Sequence, residues 1–194
     1  MEQQALKDKK VAVLVADGFE EVEFTKPVEA LQEAGAAVDV ISLKSEPVKA
    51  WAHTDWGGTY PVDKKVDSVT SADYDALVLP GGVMNPDLLR KEKTAVDFVK
   101  GFADEKKPIA AICHGPWTLI ETGMVNGRKM TSYPSLKTDL VNAGAEWVDQ
   151  EVVVDNGLVT SRNPDDLPAF CDKMIEEIAE GQHLSRSRGV HQLG

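Results

Sequence analysis

Cys113 and His114 stand side by side in Ala111-Ile112-Cys113-His114-Gly115, at the end of an apolar run and just before Pro116. A thiol becomes a strong nucleophile once a neighbouring group takes its proton, and an imidazole is the usual acceptor. The apolar run reads as a strand. Proline suits the first turn of a helix, where its missing N–H costs nothing. A strand that turns this sharply into a helix is a nucleophile elbow, and it requires small residues two positions either side of the reactive one. Ala111 and Gly115 meet that requirement. The turn also aims the sulfur at a helix N-terminus, which predicts an accessible thiol with a lowered pKa. A lone cysteine elsewhere is more often a small buried hydrophobe; the elbow context favours the nucleophile. His114 is either the general base that activates Cys113 or a surface histidine beside the turn.

Two other segments carry groups suited to the same chemistry. Gly81-Gly82 follows the apolar run Asp75–Pro80 and offers unobstructed backbone N–H groups, either as an oxyanion hole or as an ordinary glycine turn. Glu20, Glu21 and Glu23 follow the first apolar strand. Glu20 and Glu23 share a helix face, so one can reach the thiol; if protonated, it donates a hydrogen bond to sulfur. Acidic residues at a helix N-terminus also need no function to explain them. Cys171 falls in the apolar stripe of the last helix and is expected in the core. Trp51, His53 and Trp56 either line a pocket or cover core. Nothing in the His, Cys, Asp and Glu spacing suggests a metal. Neither a Walker pattern nor Gly-x-Gly-x-x-Gly is present, so no cofactor is expected.

These groups need a scaffold that brings three strand ends together. Val11–Ala16 is short and continuously apolar, as in a strand buried on both faces. Phe24, Val28 and Leu31 recur at helical spacing before Gly35, and Val38–Leu43 reads as the next strand, completing a βαβ unit. Residues 44–72 read as a loop or hairpin excursion. Strands then follow at 75–80 and 108–112, separated by one helix over 86–103. A short strand at 130–133, a helix at 136–143 and a hairpin turning at Asn156-Gly157 precede the closing helix from Asp165. The pattern predicts a flavodoxin-like, doubly wound α/β/α sandwich with a mostly parallel sheet and a C-terminal β-hairpin. Ligands bind such sheets outside the carboxyl ends of the strands, where all three functional segments lie. Residues 1–9 are expected to form a loose arm, 10–181 one domain, and 182–194 an unpatterned tail.

Composition narrows the function. The 194 residues carry 21 Lys and Arg against 32 Asp and Glu, a formal charge of −11. That balance excludes a nucleic-acid or anionic-membrane binder, which needs a cationic footprint. No apolar run approaches the roughly 20 residues of a membrane span. Two cysteines make no disulfide framework and the N-terminus carries no signal-peptide pattern, so a cytoplasmic location is expected.

Ala110–Pro116, with Leu77–Gly82 before it and Thr131–Pro134 after it, strongly resembles the PfpI family. That family belongs to a superfamily with the Parkinson-associated protein deglycase and the class I glutamine amidotransferase domains. Phe19–Glu23 and Ala145–Asp149 add to the similarity, which spans about residues 9 to 180. The resemblance implies a flavodoxin-like fold, a homodimer or hexamer, and a reactive Cys113. It assigns Glu23 as the cysteine's hydrogen-bond partner, and Gly82 with His114 as oxyanion-hole positions. It also assigns Asp87, after Pro86, as a triad acid that meets His114 across a subunit interface. There the family has a glutamate, in a loop one residue shorter. An amidotransferase needs a histidine near the end of the domain, and only His183 and His191 follow the elbow, both in the tail. The expected function is a stress-response, thiol-dependent hydrolase or lyase acting on glyoxals or their protein adducts. The alternatives are an intracellular peptidase using Cys113, His114 and Asp87, and a non-catalytic redox sensor or chaperone built on Cys113.

Overall fold

The computed structural model describes residues 4–181. The expected tail, with His183 and His191, lies outside the described residues. The chain runs β1 (Lys10–Leu14), α1 (Glu21–Glu33), β2 (Ala37–Ser42), β3 (Val48–Ala52), β4 (Asp55–Tyr60), β5 (Lys64–Lys65) and β6 (Ala76–Leu79). It continues through α2 (Met84–Arg90), α3 (Lys93–Asp104), β7 (Ile109–Ile112), α4 (Pro116–Ile120), β8 (Lys129–Met130) and α5 (Lys137–Asn142). It closes with β9 (Glu146–Trp147), β10 (Val152–Asp155), β11 (Leu158–Ser161) and α6 (Leu167–Glu180).

The main sheet has the order β10-β11-β7-β6-β1-β2-β5. Its pairings are parallel except β10 with β11. That last pair is the expected hairpin, turned by Asn156 and Gly157, both at positive φ as a primed turn requires. Side chains alternate across the sheet. Val11, Val13, Val78 and Ile112 pack with Phe24 and Leu31 of α1 and Phe170 and Met174 of α6. Ala12, Leu14, Leu77, Leu79 and Ala111 face the other way, onto Phe98 and Phe102 of α3 and Leu140 of α5. Burial on both faces explains why these strands read as unbroken apolar runs. This is the expected α/β/α sandwich.

Strand order reverses direction beside β1: the chain crosses to β2 on one side and returns to β6 on the other. Val13 pairs with Val78, and Val78 with Ala110, so β1, β6 and β7 end level with one another. The three functional segments therefore share one edge, at the topological switch point.

Several local expectations change. The single helix over 86–103 is two helices, broken where Glu92 turns extended at φ −95° and ψ 111°. The break falls where the sequence has no apolar residue between Leu89 and Ala95, so nothing there holds a helical face to the core. The excursion over 44–72 is the hairpin β3–β4 followed by the edge strand β5. The strand expected at 130–133 shrinks to β8, and residues 131–133 instead pass beside the elbow. The arm is not loose from residue 4 onward: Leu6 is fully buried and its N–H donates to the Ala34 C=O at 2.9 Å, capping the end of α1. Leu6→Ala should therefore lower unfolding free energy by about 2–4 kcal/mol, the usual cost of emptying a buried leucine site; urea unfolding of the two proteins measures it.

Candidate active site

β7 stops at Ile112, and Cys113 adopts φ +60°. A β-carbon makes that left-handed conformation unfavourable, at roughly 1–3 kcal/mol, so neighbours must impose it. They do so from both sides. The Cys113 N–H donates to the Ser161 C=O of β11 at 3.0 Å, and the Cys113 C=O accepts from the Tyr133 N–H at 2.8 Å. The Gly115 N–H then closes onto the Ile112 C=O at 2.8 Å. A β-carbon on Gly115 would sit 2.4 Å from the Leu79 C=O oxygen, which is why the elbow needs glycine there.

Four groups converge on the sulfur. His114 Nδ1 lies 3.2 Å from Cys113 Sγ, so the adjacent imidazole does reach it. The backbone N–H groups of Gly82 and His114 neighbour Sγ and favour its charged form. The fourth group is the carboxyl of Glu23, from the first turn of α1. Glu23 is completely buried, and its Oε2 accepts from the Gly81 N–H at 2.9 Å. Its Oε1 is buried without a hydrogen-bond partner among the described residues, and the carboxyl and the Cys113 thiol act on each other electrostatically. A β-carbon on Gly81 would stand 2.3 Å from Glu23 Oε2 and 2.7 Å from Cys113 Cβ. Glycine at 81 is the condition for thiol and carboxyl to meet.

The electrostatics correct one expectation. Cys113 is only 7 % exposed. Burial pushes its thiol up rather than down, and a charged Glu23 beside it acts in the same direction; the Gly82 and His114 N–H groups oppose both. Burial thus outweighs the position of Cys113 at the start of α4. Burial likewise pushes Glu23 up to about 8, despite its bonds to the thiol and to Gly81, with Glu20 adding to the rise. Glu23 is therefore largely protonated at neutral pH and presents an O–H to the sulfur. In that state its charge no longer opposes a thiolate, so the pair carries at most one negative charge. Burial lowers His114, which is a neutral ring at pH 7.

The other sequence candidates divide. Glu20 and Glu21 serve the β3–β4 hairpin: Glu20 Oε1 accepts from the His53 N–H at 3.3 Å, and Glu21 Oε1 from Gly58 N–H at 2.6 Å and Tyr60 O–H at 2.8 Å. Trp51 and Trp56 pack edge to face on that hairpin, 5.5 Å between ring centres, and Trp51 Nε1 donates to the His53 C=O. Asp87 lies exposed in the first turn of α2, and no carboxylate among the described residues bonds to the His114 ring. Cys171 is half-buried beside α1 rather than in the core. Burial lifts its thiol to about 12, Asp172 adding and Lys26 opposing.

Three functional neighbours escaped the sequence. Ser135 Oγ lies 3.3 Å from His114 Nε2, and the Tyr133 ring stacks on the imidazole at 4.7 Å. Asn85, fully buried, bonds the backbone behind Gly81 and Gly82. Ser135 and Tyr133 had a signal in their nearness to Pro134, which forces a turn; Asn85 had none.

A sequence profile of the DJ-1/PfpI family matches residues 9–177. The chain belongs to the DJ-1/PfpI family. It is 48% identical over 162 residues to YraA of Bacillus subtilis, named as a candidate cysteine protease, covering 84% of this chain and 94% of that one. It is 47% identical over 163 residues to protein/nucleic acid deglycase 2 of Escherichia coli, covering 84% and 93%. The solved structure of Drosophila melanogaster DJ-1beta superposes with a TM-score of 0.80 at 35% identity, over 88% of this chain and 90% of that one. Relatives named as deglycase and as protease support a hydrolase of this family. Among the described residues no helix is long and apolar enough to cross a membrane.

The buried carboxyl sets a pH signature. Glu23's pKa is higher folded, about 8, than the ordinary 4.5, so the folded state holds an extra proton between those values. Stability linked to this group is complete below pH 4.5 and is lost as pH rises through 8, by up to roughly 4–5 kcal/mol. Glu23→Gln keeps a donor for sulfur and an acceptor for Gly81 without that liability. Its melting temperature should exceed the wild type's at pH 9 by more than at pH 5, as scanning fluorimetry across pH would read.

Proposed function

We propose that this DJ-1/PfpI-family chain is a stress-response hydrolase that uses Cys113 to act on reactive carbonyls such as glyoxals, or on their adducts with protein side chains. The observation that carries this is the ring of groups around one sulfur: a protonated carboxyl, two backbone N–H donors and a neutral imidazole at 3.2 Å. In the proposed first step Sγ bonds to the aldehyde carbon, and the carbonyl π pair moves to oxygen. The thiol proton passes to His114 Nδ1 and on to that oxygen, leaving a hemithioacetal and a neutral ring. The Gly82 and His114 N–H groups, beside the sulfur, are the donors available to the oxyanion that develops on the carbon bonded to it. For methylglyoxal, the proton on the former aldehyde carbon then moves to the neighbouring carbonyl carbon through an enediol, leaving a Cys113 thioester of lactate. Water adds to the thioester carbonyl, the C–S bond breaks, and lactate and the free thiol result.

The low exposure of Cys113 supports a small carbonyl over an extended peptide, which needs an open groove. The peptidase alternative also calls for an acid on His114; in this chain the outer ring nitrogen meets Ser135 instead. A homodimer in the cytoplasm remains part of the proposal, carried by the family resemblance. Cys113→Ala should reduce methylglyoxal clearance to background, and His114→Asn should reduce it by roughly 10²-fold, the usual worth of a general base. Cys171→Ser should leave it unchanged. Clearance at the wild-type rate by Cys113→Ala would overturn the reading; efficient cleavage of short peptides with no glyoxal turnover would replace it with the peptidase.

A further inference from the structure

Two consecutive peptide units face the thiol–carboxyl pair, and a single buried amide grips both from behind. Asn85 lies in the first turn of α2 and is fully buried. Its Nδ2 donates to the Pro80 C=O at 3.0 Å and to the Gly81 C=O at 3.1 Å. Its Oδ1 accepts from the Ala16 N–H at the end of β1, at 2.7 Å. Both donors and the carbonyl of the amide are thus occupied.

A trans peptide is planar, with its C=O and N–H pointing in opposite directions, so fixing one end aims the other. The first unit begins at the Pro80 C=O and ends in the Gly81 N–H, which donates to Glu23 Oε2. The second begins at the Gly81 C=O and ends in the Gly82 N–H, which favours the charged form of Cys113 Sγ. Glycine lacks the β-carbon that would restrict these planes, so a Gly-Gly segment needs an outside hold to keep both N–H groups in place. The Glu20 N–H helps at the Gly81 C=O, at 3.3 Å. Only the Asn85 amide holds both carbonyls. Hydrogen bonding at the carbonyl end also polarises each unit and strengthens its N–H as a donor.

We propose that Asn85 is the positioning residue that aims the Gly81 N–H at Glu23 and the Gly82 N–H toward Cys113, and so sets the reactivity of the thiol. The proposal rests on the reading of Cys113 as the nucleophile, but not on any particular substrate. A residue that only tied β1 to the loop after β6 would need the Ala16 bond alone.

Asn85→Asp keeps an acceptor for Ala16 and removes the donors; Asn85→Ala removes all three bonds. Folding of each is checked by near-UV circular dichroism. The reactivity of Cys113 is then read as a pH profile of iodoacetamide labelling, quantified at that residue by peptide mass spectrometry. With the donors lost, the labelling profile should move to higher pH and the rate at pH 7 should fall about tenfold. Methylglyoxal turnover should lose roughly 10²-fold in kcat with KM nearly unchanged. A folded variant with the wild-type labelling profile would overturn the proposal. A shifted profile beside a wild type inactive on methylglyoxal would uphold the positioning role and sink the carbonyl reading instead. If neither variant folds, the wild type decides by nuclear magnetic resonance: labelling Cys113 should move the Asn85 side-chain amide together with the Gly82 N–H, and an unmoved Asn85 amide overturns the role.

Discussion

A carboxyl and a thiol buried in contact cannot both be charged, and the site is organised around keeping the carboxyl neutral when the thiol gives up its proton. Glu23 approaches from α1, Cys113 from the end of β7, and Gly81 and Gly82 from the end of β6. No two of these segments are neighbours in sequence. Only the strand order brings them together, because β1, β6 and β7 lie side by side and end level. A one-residue slip of β6 against β7 would turn Gly81 away from the elbow, since successive residues face opposite sides of the sheet. Register is thus the link between fold and chemistry. The two hydrophobic layers that fix that register, the α1/α6 side and the α3/α5 side, serve the site without touching it.

The packing leaves little freedom in which residues can occupy the edge. A β-carbon at Gly81 collides with both the carboxyl and the thiol, and one at Gly115 collides with the end of β6. The same crowding that demands glycine excludes water, which raises Glu23 and Cys113 together. Strain at Cys113, burial of Glu23 and loss of side chains at two glycines all destabilise the fold locally. Together they produce a thiol that can lose its proton without creating a second charge beside it. Local rules broken at one place, with the surrounding sheet over-determining the geometry, are what a functional site imposes on a stable domain.

Much of this was legible before any coordinates. Buried parallel strands announce themselves as short apolar runs, and Ala111, Gly115 and Pro116 marked the elbow by size and backbone preference alone. Glu23 was separable from Glu20 and Glu21 only as one of two residues on a helix face; the hairpin contacts that claim the other two are long-range and leave no local trace. The break at Glu92 showed in the apolar pattern as a gap, which a reading by periodicity bridged. The expectation of a lowered thiol pKa fails because sequence reveals a helix N-terminus but not the depth of burial at it. Asn85 was invisible for a related reason. A polar residue near a helix start is ordinary, and its value comes from three backbone groups that the chain brings to it from β1 and β6.

The state of His114 bears on what leaves the site as well as what enters it. Its ring is neutral, stacked on Tyr133, and within this chain its outer nitrogen meets the Ser135 hydroxyl. A carboxylate there would stabilise an imidazolium long enough to protonate a departing amine, as amide cleavage requires. A hydroxyl does so far less well. Addition of a thiol to a free aldehyde makes a smaller demand, because the proton leaving sulfur is wanted at once on the carbonyl oxygen and, unlike an adduct, the free aldehyde releases no amine. The Glu23–Cys113 pair fits that economy, since it too avoids a standing second charge. On the proposed reading, a site built from a neutral carboxyl, a protonated thiol and a neutral ring suits an electrophile that accepts the sulfur and its proton in nearly the same event. That describes a small activated carbonyl better than a peptide bond.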